Sequence, residues 1–167
     1  MDNQQERSHF NKGWLAGIID GEGCLQLAKQ RYKGKYHYRP LISIGNTNPE
    51  IIEKVIEIAK ENKLPYYVLN RKKPAFRSKR ESWVVSSFGF QRCKVWLEYL
   101  GDSLQGKSIQ AKLMKEYIDY RLSLPHAYDV TEKDDNYKKS ISEANQRFKG
   151  EIPNDYTPSR TDNVRKI

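Results

Sequence analysis

The hydrophobic residues of this chain repeat with two different periods, which divide most of it into strands and helices. Apolar and polar residues alternate over 24–30, as in a half-buried strand, and three further strands are predicted over 36–44, 66–71 and 82–88. Apolar residues recur at helical spacing over 49–62, 91–100 and 107–124. Another helix, apolar on nearly all sides, is predicted to end near Asp20, after a loose polar arm at residues 1–10.

The order of these elements predicts an α+β fold with an αββαββα core. Four strands in two consecutive pairs favour one four-stranded antiparallel sheet with the helices packed on one face. Pro40 limits part of the second strand to an edge or a bulge, because proline donates no ladder hydrogen bond. The open face of the sheet is polar, basic or small, which suits strands that read base edges in a DNA groove.

The composition changes after Pro125, which is expected to stop the preceding helix. We therefore predict a core domain over residues 1–125 and a basic C-terminal extension over 126–167. An amphipathic helix is predicted over about 136–148, followed by a tail with little regular structure. The extension has two open interpretations, a solvated surface segment or an arm on DNA phosphates.

The apolar helix near the N-terminus has an unusual face and an unusual end. Gly13, Gly17 and Gly21 recur every fourth residue and share one face, although each glycine weakens a helix by roughly 1 kcal/mol relative to alanine. Asp20 and Glu22 lie at its C-terminus, where the helix dipole already disfavours negative charge. A buried core helix with an acidic turn is one interpretation. The other, which we favour, is close packing of two copies whose acidic ends together bind a hard divalent ion.

Composition bears on the partner of the protein. Among 167 residues, 30 Lys and Arg outnumber 21 Asp and Glu, so the net charge is +9 and the pI is about 9.4. This excess predicts attraction to polyanions, although a basic protein without a nucleic-acid partner has the same composition. Cys24 and Cys93 form no metal-type pair, and neither a signal peptide nor a membrane-length apolar run is visible. We expect an intracellular protein, in a prokaryotic cytoplasm or an organelle.

The chemistry available to the chain is narrow. The sequence contains no Ser-His-Asp set, Cys/His metal cluster or phosphate-binding glycine loop, and its three histidines lie far apart. Metal-assisted phosphodiester hydrolysis remains. The Glu22 carboxylate and the Gly21 carbonyl, free at the helix end, are the expected metal ligands.

The stretch Leu15-Ala16-Gly17-Ile18-Ile19-Asp20-Gly21-Glu22-Gly23 resembles the signature of the LAGLIDADG homing endonucleases. All nine positions fit, with Glu22 at the second acidic position, and the element order agrees over about residues 8–123. The resemblance implies a Mg²⁺-dependent enzyme, whose site Mn²⁺ or Ca²⁺ can also occupy. Since one motif copy is present, it implies a homodimer that cuts both strands of a long, nearly palindromic duplex and promotes intron homing. Relatives acting as RNA maturases or non-cleaving DNA-binding regulators provide the alternative.

The resemblance also assigns roles to two further residues. Lys107 matches a basic residue near the scissile phosphate, and Asn46 matches a polar residue that binds water. A surface lysine and an ordinary turn asparagine are the alternatives. We expect the dimer interface at Gly13, Ala16, Gly17 and Asp20, with Asp20 serving helix-end or interface structure.

Outward strand positions and basic loops are the predicted DNA contacts. The candidates for contacts to bases are Gln26, Gln30, Arg39, Ser43, Arg71, Arg80 and Ser82. The candidates for contacts to phosphates are Lys33, Lys35, Lys72, Lys73 and Lys79. For each of them, exposure to solvent without any contact is the alternative.

Overall fold

The predicted element order is present in the computed structural model, which describes residues 3–32, 34–71, 81–124 and 129–146. The elements are α1 (Asn3–Glu22), β1 (Gly23–Tyr32), β2 (Lys35–Asn46), α2 (Pro49–Glu61), β3 (Tyr67–Arg71), β4 (Ser82–Phe88), α3 (Phe90–Leu100), α4 (Ser108–Ser123) and α5 (Glu132–Gln146). A short 3₁₀ turn, Gly101–Ser103, lies between α3 and α4. Within the described ranges, no helix is both long and apolar enough to cross a membrane.

The four strands form one antiparallel sheet in the order β1-β2-β4-β3, which confirms the predicted α+β class. Pro40 pairs with Leu27 of β1, but β4 begins its pairing with β2 only at Leu41. On the edge of β2 that faces β4, Pro40 therefore lies just outside the paired segment. This position suits proline, which has no backbone N–H to donate to a neighbouring strand. Its carbonyl accepts a hydrogen bond from the Gly89 N–H at 2.9 Å.

The core lies between one face of the sheet and the helices. Leu25, Leu27, Ile42, Ile44 and Val85 point to this face and are buried. From the helices, Leu15, Ile19, Trp96, Met114 and Ile118 complete the same cluster. Alternation along each strand then leaves the residues between the core positions on the opposite, outer face.

The first helix begins at Asn3, so the loose arm predicted for residues 1–10 is wrong over 3–10. The segment has no apolar stripe, and contacts to α2 hold it instead. The Arg7 guanidinium bonds the Glu61 carboxylate at 2.6 Å, and the Asn11 amide bonds its other oxygen at 3.2 Å. Partners fifty and more residues away are invisible to local periodicity.

The last described helix, α5, packs on α4 and β1. It begins earlier than predicted because Thr131 and Asp134 cap it reciprocally: the Asp134 carboxylate accepts from the Thr131 N–H at 2.7 Å, and the Thr131 hydroxyl accepts from the Asp134 N–H at 3.3 Å. The Asn145 amide donates to the Leu25 carbonyl at 3.0 Å. The domain boundary at 125/126 stays a prediction.

Candidate active site and nucleic-acid interface

The end of α1 and the start of α4 are held together by Asp20 and Lys107. The Asp20 carboxylate accepts hydrogen bonds from the backbone N–H groups of Gln105 and Lys107, both at 2.8 Å. The Lys107 ammonium in turn donates to the Asp20 carbonyl oxygen. These three bonds, which we call the Asp20–Lys107 clamp, fix the ammonium beside the acidic end of the motif helix.

The clamp explains why a lysine stands at the start of a helix, where the dipole disfavours cations. A lysine side chain has no acceptor and cannot cap α4. Asp20 of α1 supplies the missing acceptor and a negative charge. The last turn of α1 contains no basic residue, so the Lys107 ammonium supplies the cation that its C-terminus favours. Each helix end thus receives its compensating charge from the other helix.

Glu22 is the last residue of α1 and is exposed, as is Gly21. The Glu22 carboxylate and the Gly21 carbonyl at this helix end are hard oxygen donors of the kind that suits Mg²⁺. Across the described ranges, no group of three or more His, Cys, Asp or Glu side chains is arranged to hold a metal. Glu22 and the Gly21 carbonyl therefore fit two oxygen ligands of a metal site, and their role as metal ligands stays a prediction.

Asn46 is the last residue of β2, two positions beyond Ile44, whose partner is the Gly23 that follows the motif helix. The Asn46 side-chain oxygen accepts from the Asn48 N–H at 2.8 Å. Asn48 caps α2 by accepting from the Glu50 N–H. The side chain of Asn46 therefore shapes the turn into α2, and its expected role toward water stays a prediction.

The glycines of the motif region fall into two groups. Gly13, Gly17 and Gly21 are exposed, and a Cβ added at any of them meets nothing within 4 Å. A Cβ at Gly23 would lie 2.5 Å from the Ile19 carbonyl oxygen. Gly23 is thus required by the packing of its own chain, whereas the other three are not.

Two other residues of the expected interface have contacts inside their own chain. Ala16 is only 1% exposed and belongs to the hydrophobic core, which leaves it no surface to offer a second copy. The Asp20 carboxylate is half-buried and engaged in the clamp.

The outer face of the sheet carries several of the predicted base contacts. By strand register, five of them share this face, Gln26, Gln30, Arg39, Ser43 and Ser82, and the backbone of Arg71 pairs with Ser82 at the end of β3. Lys35 forms an ion pair with Asp129, so its expected phosphate contact competes with a partner in the chain. The remaining predicted contacts lie outside the described residues: Lys33, Lys72, Lys73, Lys79 and Arg80.

Sequence reasoning missed three features near the site. Gln105, a loop residue, takes part in the clamp through its backbone N–H. Cys24 points to the outer face directly after the motif; burial raises the pKa of its thiol and the nearby Lys107 ammonium opposes the rise. Tyr67 and Leu69 also occupy the outer face and are exposed. Alternation along β3 could have indicated these last two residues.

No protein-family model matches the chain, and no curated protein matches its sequence. Solved structures do match. The homing endonuclease I-CvuI in complex with its target, in the presence of Ca, covers 84% of this chain and 98% of its own, with 16% identity and a TM-score of 0.57. I-CvuI on another target in the presence of Mg, with the DNA not cleaved, gives 18% identity, 83% and 97% coverage and a TM-score of 0.54.

The LAGLIDADG homing endonuclease I-LtrWI bound to target DNA is a third neighbour. It has 20% identity and a TM-score of 0.58, and the match covers 81% of this chain and 43% of that one. The chain therefore has the fold of the LAGLIDADG homing endonucleases, which agrees with the resemblance of Leu15–Gly23 to their motif.

Proposed function

We propose that this protein is a site-specific homing endonuclease that works as a homodimer. It cleaves both strands of a long, nearly palindromic DNA duplex by Mg²⁺-dependent hydrolysis and thereby promotes the spread of its intron. The observation that carries the proposal is the Asp20–Lys107 clamp, which holds an ammonium group at the C-terminal end of the motif helix, whose last residue is the exposed Glu22. A protein that only binds DNA has no use for a carboxylate at that place, because it repels phosphate.

The roles of the residues follow from their positions. Glu22 and the Gly21 carbonyl hold the divalent ion, which when bound lowers the pKa of water and stabilises the attacking and leaving oxygens. Lys107 offers positive charge to the phosphate, where negative charge develops in the transition state. Asp20 acts through Lys107, since its carboxylate fixes the start of α4 and so the position of the ammonium.

The exposed glycine face supports the homodimer. Helix glycines carry an energetic cost, and nothing within this chain requires Gly13, Gly17 or Gly21. A second copy of α1 packed on this face approaches backbone to backbone, and two-fold symmetry brings the two Glu22 residues together. Each copy then contributes one acidic helix end, which supplies the ligands that one chain lacks, and each cuts one strand.

Further support for DNA as substrate comes from the charge of +9 and from the neighbours, which are complexes with DNA. The outer sheet face carries the amide groups of Gln26 and Gln30 on β1 and the guanidinium group of Arg39 on β2, which suit contacts to base edges. The use of divalent ions is supported by the neighbouring I-CvuI complexes, formed in the presence of Ca or Mg.

The test uses duplex DNA with the sequence that flanks the intron in the host gene, incubated with and without Mg²⁺. The wild-type protein should cut both strands only with Mg²⁺. Glu22→Gln should bind the same duplex and leave it intact, because the amide keeps the shape and loses the charge. Glu53→Gln, a change of the same kind on an exposed position of α2, should cut normally. Normal cutting by Glu22→Gln would refute the assignment of Glu22. Tight binding without cutting by the wild type would favour a non-cleaving regulator, and preference for the intron RNA would favour a maturase.

A further inference from the structure

The outer sheet face carries an apolar patch beside its polar residues. Leu69 of β3 is 50% exposed and pairs with Val84 of β4, which in turn pairs with Gly45 of β2. The Val84 side chain lies over Gly45, since a Cβ added there would be 3.8 Å from a Val84 methyl group. Tyr67, two residues before Leu69, is 38% exposed on the same face. We call Tyr67, Leu69 and Val84 the β3–β4 patch.

The position of the patch indicates its occupant. It lies on the same face as Gln26 and Arg39, since Ser43, the buried Ser86 and Tyr67 are cross-strand partners in one row of this face. A duplex seated on the amide and guanidinium groups of β1 and β2 also covers the neighbouring strands, because strands lie only about 4.8 Å apart. The proposed DNA ligand is therefore the occupant that this surface supports.

Building on the proposed function, we propose that the β3–β4 patch recognises thymine through its 5-methyl group, with Leu69 as the specificity-determining residue. In the major groove only thymine presents a methyl group, and apolar side chains are its usual contact. Leu69 has no hydrogen-bonding group, so it contacts this methyl without leaving a polar atom unpaired. Val84, whose side chain packs over Gly45, gives the methyl group a flat apolar surface beside Leu69.

The strand geometry also indicates where this thymine lies. Arg39 and Gly45 are six residues apart on β2, which corresponds to about 20 Å at roughly 3.3 Å per residue. DNA rises about 3.4 Å per base along each of its strands. If β2 follows the groove, the base beside Arg39 and the base beside Gly45 are therefore about six base pairs apart. Gly45 lies nearer to the motif helix than Arg39 does, because its neighbour Ile44 pairs with Gly23, the residue that follows this helix. The thymine read by Leu69 should therefore lie closer to the cut than the base read by Arg39.

The test compares thymine with deoxyuridine, which lacks only the methyl group. Duplexes are first selected by wild-type binding from a randomised pool, and each enriched thymine is then replaced by deoxyuridine. At one position in each half-site, near the cut, the replacement should weaken wild-type binding about fourfold, the factor expected for burying one methyl group. Leu69→Ala should bind both duplexes equally. Val68→Ala is the matched control. Val68 precedes Leu69 in β3 and is 40% exposed, but its side chain points to the opposite face of the sheet.

The outcomes separate this inference from the proposed function. If the wild type selects a site but binds thymine and deoxyuridine equally everywhere, the methyl readout is wrong and the endonuclease proposal stands. The same conclusion holds if Leu69→Ala keeps the discrimination, or if Val68→Ala loses it. If Leu69→Ala changes only the self-association of the protein, the patch is a protein interface instead. If the wild type binds no duplex from the pool, the proposed function itself fails.

Discussion

Replacing one glycine of the motif helix should change folding and association in opposite directions. Gly17 lies in the interior of α1, and a Cβ there meets nothing within 4 Å in its own chain. Gly17→Ala should therefore stabilise the isolated chain by up to about 1 kcal/mol, the usual advantage of alanine over glycine in a helix. For a chain of 167 residues this corresponds to a rise of roughly 2–4 °C in the melting temperature. In the dimer, the two added methyl groups face each other and should weaken association by roughly 1–3 kcal/mol, as overpacking does in a core.

Gly23→Ala provides the contrast six residues later. Its Cβ would lie 2.5 Å from the Ile19 carbonyl oxygen and 2.8 Å from the Ile19 Cα, both backbone atoms that cannot rotate away. The junction between α1 and β1 must shift, so this variant should lose about 1–3 kcal/mol of folding stability. Urea unfolding at concentrations below dimerisation measures the first effect, and sedimentation velocity over a concentration series measures the second. An unchanged dimer of Gly17→Ala would place the interface elsewhere. If Gly23→Ala were as stable as the wild type, the backbone between α1 and β1 would be able to move away from the added Cβ at little energetic cost.

Three further changes test other parts of the structure. Phe10 is 66% exposed and lies within about 20° of Gly17 around the axis of α1. Phe10→Ala should therefore weaken dimerisation, measured by sedimentation, by up to roughly 1.5–3 kcal/mol per chain, and it should not lower the stability of the monomer. Asp134→Ala removes the carboxylate, 1% exposed, that lies 3.3 Å from the Arg121 guanidinium, and should lower the free energy of unfolding by roughly 3–5 kcal/mol in urea titrations. Burial raises the pKa of the Cys93 thiol from 9.0 to about 12, so the folded state favours the neutral thiol. The contribution of this thiol to the free energy of unfolding is complete below pH 9 and falls as the pH rises toward 12. Iodoacetamide at pH 8 should modify Cys24 well before the buried Cys93, as measured by mass spectrometry.

Local sequence patterns predict local structure well in this chain. The strand predicted over 82–88 has the bounds that the structure gives β4, and the Asn48-Pro49 pair marks the start of α2 correctly. The alternation of Leu25 and Leu27 with Gln26 also indicates which face of β1 is buried. These predictions succeed because periodicity reports directly on burial, and burial is what the sheet and helices share.

The parts that the sequence could not predict depend on distant partners. Arg7 extends α1 through Glu61, 54 residues away. Lys107 bonds a helix end 87 residues before it, and without that contact its place at the start of α4 has no visible reason. The two groups of glycines also look alike in sequence, because only the path of the chain after α1 decides that Gly23 is crowded and Gly17 is not.

The two acidic residues of the motif illustrate how one helix end serves both structure and chemistry. Positions two apart on a helix differ by about 200°, so the Asp20 and Glu22 side chains leave α1 on nearly opposite sides. Asp20 turns toward α4 and binds two backbone N–H groups, whereas Glu22 stays exposed at a helix end that disfavours its charge. Neutralising either carboxylate should therefore impair cleavage, but only the change at Asp20 should lower folding stability. Asp20→Asn should lower folding stability in urea and also slow cleavage, because the ammonium of Lys107 loses its support. Glu22→Gln should abolish cleavage and leave folding stability equal or slightly higher, since it removes an unfavourable charge. If Glu22→Gln instead destabilised the fold as much as Asp20→Asn, Glu22 would be a structural residue and the division between the two carboxylates would be wrong.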